Sequence, residues 1–162
     1  MELALGLAAE AGQAGEVPIG AVVVGPQGVL GQGRNRMEEL RDATAHAEIF
    51  ALRTASAALG DWRLDGLTLY ATLEPCPMCA GAILNARIAR VVYAAGDHRL
   101  GACKTHWAIL SQNPIGRSIE IVDGLLEDRS AALLKGFFRA LRTGERLPSS
   151  ARPSRAKDDQ KS

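Results

Sequence analysis

Apolar positions change their spacing several times along the chain, and each change marks an element. Leu3, Leu7 and Ala11, with Ala4 and Ala8 beside them, repeat at helical spacing and stop at "GQAGE", which predicts a first helix with that stripe facing the core. "IGAVVVG" and "VLGQGRNR", joined by "PQG", predict an antiparallel hairpin. Gly31-x-Gly33 lacks the third glycine and the following helix of a dinucleotide fingerprint, so that reading is set aside. Thr44 is placed to cap a second helix, "AHAEIFALRTASAAL", which ends at Gly60. "LTLYATL" predicts a third strand, "PCPMCAGAILNA" a helix opened by prolines, and "RIARVVYAA" a fourth strand.

Strand, helix, strand implies parallel pairing through crossovers. A short helix around Trp107 to Leu110, a fifth strand "SIEIV" and a last helix from about Leu125 to Arg142 complete an α/β/α layering: a mixed five-stranded sheet with helices on both faces. In the last helix Leu133, Phe137 and Leu141 form the expected core stripe, and Phe138 lies about 100° around from it. Residues 148–162, "PSSARPSRAKDDQKS", are polar and without periodicity. They read as a disordered tail behind a domain spanning 1–147.

Length and composition narrow the class. At 162 residues one core is expected, and 47% hydrophobic against 23% charged residues is ordinary for a globular chain. With 19 Lys+Arg against 18 Asp+Glu the formal charge is +1, so an RNA or membrane partner needs a local patch. Lys135, Arg139, Arg142 and Arg146 form one such bias, and a solvated helix face explains them equally well. No apolar run is long enough for a membrane span, and "MELALGLAAE" lacks the basic start of a signal peptide, so the cytoplasm is the expected location. Three cysteines argue against a disulfide framework.

Two motifs carry chemistry. In "EPCPMC" the thiols of Cys76 and Cys79 have the Cys-x-x-Cys spacing that places both on one face of a helix's first turn, where the helix dipole favours thiolate. Two sulfurs do not close a structural zinc site, and the chain has no second Cys-x-x-Cys. "ATAHAEIF" offers the third ligand, His46, and leaves one coordination position open, as in catalytic zinc sites. Glu48, two residues on, is then the proton carrier beside the open position. A thioredoxin-like redox pair would leave His46 and Glu48 unexplained. His-x-Glu followed by Pro-Cys-x-x-Cys is the signature of zinc nucleobase deaminases.

The stretches "EVPIGAVVV", "GRNR", "TAHAEIFALR", "LYATLEPCPMCAGAI", "RIARVVYAA" and "ALLKGFFRALR" together resemble the bacterial tRNA-specific adenosine deaminases, from about Leu3 to Arg142. The resemblance implies a three-layer cytidine-deaminase-like fold, one zinc ion per chain, and hydrolysis of adenosine to inosine at the wobble position of an arginine tRNA. It further implies a homodimer bound to the tRNA anticodon stem-loop. Glu48 would move protons between water, ring N1 and the departing amino group, and the backbone N–H of Ala47 would position the attacking oxygen. Asn35 matches the family residue that holds the nucleotide, although an Asn closing a strand explains it equally from the residues alone. Ile19 and Leu73 match apolar groups near the base, Asp97 a position near the preceding sugar, and Phe138 and Arg139 candidates for stacking and phosphate contact. Core packing remains open for Ile19 and Leu73, and an ordinary turn for Asp97.

In "DHRLGACKTHW" the family's Lys-Thr and Gly-Ser become Arg99-Leu100 and Lys104-Thr105, so the RNA contacts of this loop are not carried over. Cys103 is expected to be a packed thiol, and His98 and His106 surface residues or RNA contacts. Two other functions share these motifs. One is a deaminase of free guanine, cytosine or nucleotides; the other is a non-catalytic zinc protein supporting RNA binding, whose expected signature, a missing acid, is not met because Glu48 is present.

Overall fold

The computed structural model describes residues 1–144; the tail expected over 148–162, and Arg146, lie outside the described residues. Five helices and five strands follow in the order α1 (Glu2–Gln13), β1 (Gly20–Gly25), β2 (Gly28–Arg34), α2 (Met37–Leu40), α3 (Ala47–Leu59), β3 (Thr68–Leu73), α4 (Pro77–Asn85), β4 (Arg90–Ala95), β5 (Glu120–Val122) and α5 (Glu127–Thr143). The strands form one sheet in the order β2-β1-β3-β4-β5. β1 is antiparallel to β2 and β3, while β3, β4 and β5 run parallel; α4 makes the predicted crossover from β3 to β4, and turns carry the chain from β4 to β5.

Strand alternation divides the apolar residues between two faces. Ala21, Val23, Leu69, Ala71, Val91 and Tyr93 belong to the main core, built with Ala47, Ala51 and Ala55 of α3 and Ala80 and Ile83 of α4. Their neighbours Val22, Val92 and Ala94 are buried on the other face, where α1 packs on β1 and α5 on β4. Gly31 and Gly33 let α3 lie directly on β2. A Cβ on Gly33 would stand 2.4 Å from the carbonyl oxygen of Ala47, and one on Gly31 would stand 2.2 Å from that of Ala51. These glycines therefore serve helix-on-strand contact one residue from His46, and Gly33→Ala is expected to cost about 1–3 kcal/mol, the usual cost of overpacking. A denaturation midpoint unchanged from that of the parent would contradict it.

Several local expectations are corrected. In α1 the buried face is Ala4, Leu5, Ala8 and Ala11, and Leu3 is 46% exposed, because Gly20 brings the β1 backbone against the Ala4 carbonyl. Thr44 does not cap α3. Its N–H and hydroxyl both go to Asp42 Oδ1, at 2.8 and 2.7 Å, and His46 is the N-cap. No helix forms at Trp107 to Leu110; His106 N–H bonds Gly101 O and Ile109 N–H bonds Ala102 O, folding the segment back on itself in turns. On α5 Phe137 is buried but Leu141 is 39% exposed, so the expected core stripe does not reach the helix end. The four-residue α2 has no local sequence signal, because the group that receives its N–H bonds, Glu16, is more than twenty residues away. No described helix is long and apolar enough to cross a membrane.

Candidate active site

Two helices begin at the same place, and neither has a side-chain cap. His46 is the N-cap of α3 and Cys76 that of α4, both with extended backbone, and Pro77 starts α4 with its fixed φ. The free N–H groups and positive ends of both helices thus face the functional side chains. Cys79 lies in the first turn of α4 and is fully buried.

Among the described residues His46, Cys76 and Cys79 place one ligand atom each within 4.8 Å of one another. His46 Nδ1 stands 3.7 Å from Cys76 Sγ and 3.5 Å from Cys79 Sγ. Tetrahedral zinc, with bonds of about 2.3 Å to sulfur and about 2.0 Å to nitrogen, separates such donors by about 3.5 Å. The donor set therefore fits a zinc ion in spacing and in chemistry.

The charges agree. The neighbouring Cys79 thiol, together with the bond to His46, brings the Cys76 thiol down to about 4, whereas Cys79 is pushed up by its bond to Cys76 and by burial. The bond to Cys76 raises His46. Glu48, in the first turn of α3, is 3% exposed and two residues from His46. Burial raises its pKa, the shift expected of a group that both accepts and returns a proton near neutrality.

A second buried carboxylate, missed by the sequence reading, shapes the rim. Glu74 is 2% exposed and sits two residues before Cys76. Its Oε1 accepts N–H bonds from Cys103 (3.1 Å), Lys104 (2.8 Å) and Thr105 (3.0 Å); its Oε2 accepts the Asp97 N–H (3.1 Å) and the Thr105 hydroxyl. Burial pushes this carboxyl up, but the bonds from Thr105, Asp97 and Lys104 outweigh it and hold it below the usual range. Loop 97–105 is thus wrapped around one side chain, and a Cβ on Gly101 would fall 2.2 Å from Glu74 Oε2. The only hint in the sequence is an acidic residue inside an apolar strand end. Glu74→Ala would leave four N–H groups without their acceptor, and a loss of about 3 kcal/mol or more is expected. Hydrogen exchange at 103–105 should rise with it; unchanged protection there would contradict the assignment.

The other sequence candidates are spread over both faces of the sheet and its loops. Asn35 is 2% exposed, and its N–H bonds the carbonyl of Ile19 at 3.0 Å, so these two are tied together. Ala47 is buried between His46 and Glu48, Leu73 is half-buried at the end of β3, and Asp97 is held by Glu74 and accepts the Arg99 N–H at 2.8 Å. Phe138 and Arg139 lie on α5, in the layer on the opposite face of the sheet from α3 and α4; Phe138 is 36% exposed and meets Phe137 edge-on. Cys103 is buried in the main core. Thr105 is engaged with Glu74, and Lys104 pairs with Asp123 at 2.7 Å. The His98 carbonyl is 2.8 Å from His106 Nε2, and both residues are exposed.

A mixed sheet carrying a His/Cys/Cys donor set at two helix starts, with a buried carboxylate beside it, defines a hydrolytic deaminase, and residues 1–142 match the family model of the MafB19-like deaminases. Within that class the chain belongs to the tRNA-specific adenosine deaminase family. It is 49% identical over 142 residues to the tRNA-specific adenosine deaminase of Agrobacterium fabrum, covering 88% of this chain and 93% of that one. A solved structure from work on A-to-I editing by tRNA:A34 deaminases at the wobble position of transfer RNA matches with a TM-score of 0.79 and 48% identity, over 83% of this chain and 97% of that one. The guanine deaminase of Nitrosomonas europaea matches at 0.70 and 29% identity, over 84% and 81%. The cytidine-deaminase-like fold read from the sequence is the fold observed.

Proposed function

We propose that this enzyme deaminates adenosine to inosine at the wobble position of an arginine tRNA, releasing ammonia. The observation that carries the reading is the buried Glu48 beside the His46, Cys76 and Cys79 donors, in a chain 49% identical to a tRNA-specific adenosine deaminase. One zinc ion per chain, held by those three donors, would supply the Lewis acidity that brings a water's pKa toward neutrality. Glu48 takes one proton of the attacking water to ring N1, then takes the remaining hydroxyl proton at C6 and gives it to the departing amino group, so that ammonia leaves, the C6 oxygen becomes the carbonyl of inosine and Glu48 ends as it began. The backbone N–H of Ala47 positions the oxygen that attacks C6. Asn35 holds the nucleotide, Ile19 and Leu73 flank the base, and Asp97 meets the preceding sugar. Phe138 and Arg139 serve stacking and phosphate contact.

The working form is a cytoplasmic homodimer on the anticodon stem-loop. A groove of about 750 Å³ between α3 and α4, lined by Leu52, Trp62, Leu84, Arg87 and Ile115, supports a self-association surface, with Trp62 and Ile115 each 57% exposed. The second copy would supply a wall to a site that a small monomer leaves shallow. Affinity for the stem-loop is expected to fall as salt rises, because phosphate contacts release counterions.

The likeness to a guanine deaminase keeps a free-base substrate as the second reading. An ammonia assay over free guanine, cytosine, adenosine and an arginine anticodon stem-loop separates the two. Release from the stem-loop alone supports tRNA editing, and release from free guanine at a comparable rate supports the other. Sedimentation tests the dimer in the same preparation, where a monomer at micromolar concentration would contradict it.

A further inference from the structure

Glu16 is a buried carboxylate that the reaction as described does not use. It lies between α1 and β1, is 1% exposed, and gathers three donors from one short segment. Its Oε1 accepts the Glu39 N–H at 2.8 Å; its Oε2 accepts the Glu38 N–H at 3.2 Å and the Asn35 side-chain Nδ2 at 3.4 Å. The two backbone bonds hold the start of α2. The third ends on the residue assigned to the substrate nucleotide.

We infer that Glu16 is a positioning residue for substrate, fixing which way the Asn35 amide faces; this rests on the reading of Asn35 as a nucleotide contact. The two ends of an amide have nearly the same shape and opposite hydrogen-bonding character, so packing alone distinguishes them poorly. A carboxylate offers acceptors and no donor, and facing it with the Asn35 carbonyl would oppose two acceptors in a buried space. Only Nδ2 can face Glu16. Asn35 Oδ1 and the second Nδ2 hydrogen are therefore left in a defined order on the sides away from it. The Asn35 main chain is pinned independently by the Ile19 carbonyl at 3.0 Å, so the side-chain flip is the freedom that Glu16 removes. A nucleotide needing a donor at one point and an acceptor at another would then meet a preset pair. Burial, the acceptor-only chemistry and the backbone anchor all point the same way.

Glu16 also holds α2, and a purely structural role must be told from a positioning one. The test is a double-mutant cycle on the zinc-loaded full chain, with Glu16→Gln, Asn35→Ala and the pair, reading kcat and KM for the stem-loop. Glutamine keeps one of the two acceptor oxygens, and so one of the two α2 N–H bonds, and replaces the other oxygen with a donor, so the preference at Asn35 is lost while α2 stays tethered. Glu16→Gln is expected to lower kcat/KM about tenfold, mainly through KM, consistent with one positioned hydrogen bond. Asn35→Ala should lose at least as much, and the double variant should match Asn35→Ala within about twofold, because Glu16 acts only through Asn35. Full additivity, or no effect of Glu16→Gln on an active enzyme, would reduce Glu16 to an α2 anchor and overturn the inference. A second readout needs neither activity nor a variant. In the intact protein, nuclear Overhauser contacts from the Asn35 Nδ2 protons to the Glu38 amide proton are expected. Their absence from an assigned spectrum would overturn the inference even if the substrate reading stood, and their presence would support the fixed amide even if the stem-loop proved not to be the substrate.

Discussion

Glu48→Ala is expected to keep both the zinc ion and the affinity for the stem-loop while lowering turnover by about 10²–10⁴-fold, the usual contribution of a positioned general acid/base. The expectation follows from where Glu48 stands. It is 3% exposed in the first turn of α3, two residues after His46, and is not one of the three grouped donors. Burial raises its pKa, so it takes a proton from water more readily than an exposed carboxylate would. Glu48→Gln, which keeps the shape and removes the proton chemistry, should fall as far as the alanine variant. Metal content, RNA affinity and single-turnover rate must be measured together. A variant that retained a substantial fraction of the rate with zinc in place would remove Glu48 from the proton-transfer role.

The second large effect is on the metal. Cys76→Ala and His46→Ala are each expected to take zinc from one per chain to near none, and activity with it. Two remaining donors bind far more weakly than three, and the thiolate character of Cys76 depends on the Cys79 and His46 side chains beside it. Part of the fold should survive. The two helix starts are anchored independently of the cluster, by the Phe50 N–H on the His46 carbonyl and by the Ala80 N–H on the Cys76 carbonyl. Elemental analysis of either variant after exhaustive dialysis makes the check, with full occupancy as the contrary outcome.

The grouping of His46, Cys76 and Cys79 was legible because its parts are local. Cys-x-x-Cys across one helical turn and His-x-Glu at another helix start each define their own geometry, and the two helices meet because β1 lies between β2 and β3 in the sheet. The antiparallel β1–β2 hairpin and the parallel β3–β4 pair followed from alternation and connection in the same way, whereas the antiparallel β1–β3 pair at the centre of the sheet has no local signal. What the sequence concealed depends on residues far apart in the chain. Glu16 bonds residues 35, 38 and 39, and Glu74 bonds residues 97 and 103 to 105, so each carboxylate reads locally as a polar residue in an apolar context. The turns at 106 to 110 replaced a predicted helix for the same reason, since their N–H groups bond back to residues 101 and 102. Thr44 misled because a hydroxyl with two candidate partners took the nearer one, Asp42. Gly31 and Gly33 lacked a dinucleotide role, and their use became visible only when α3 was placed on β2.

The decisive property is where in an RNA the chemistry occurs. The most direct measurement incubates a full arginine tRNA with the zinc-loaded protein and maps inosine at each position. Inosine at the wobble adenosine alone, lost with Glu48→Ala and absent when another base occupies that position, is the predicted result. Inosine spread over other adenosines, or none in the tRNA while free guanine is deaminated, would contradict it.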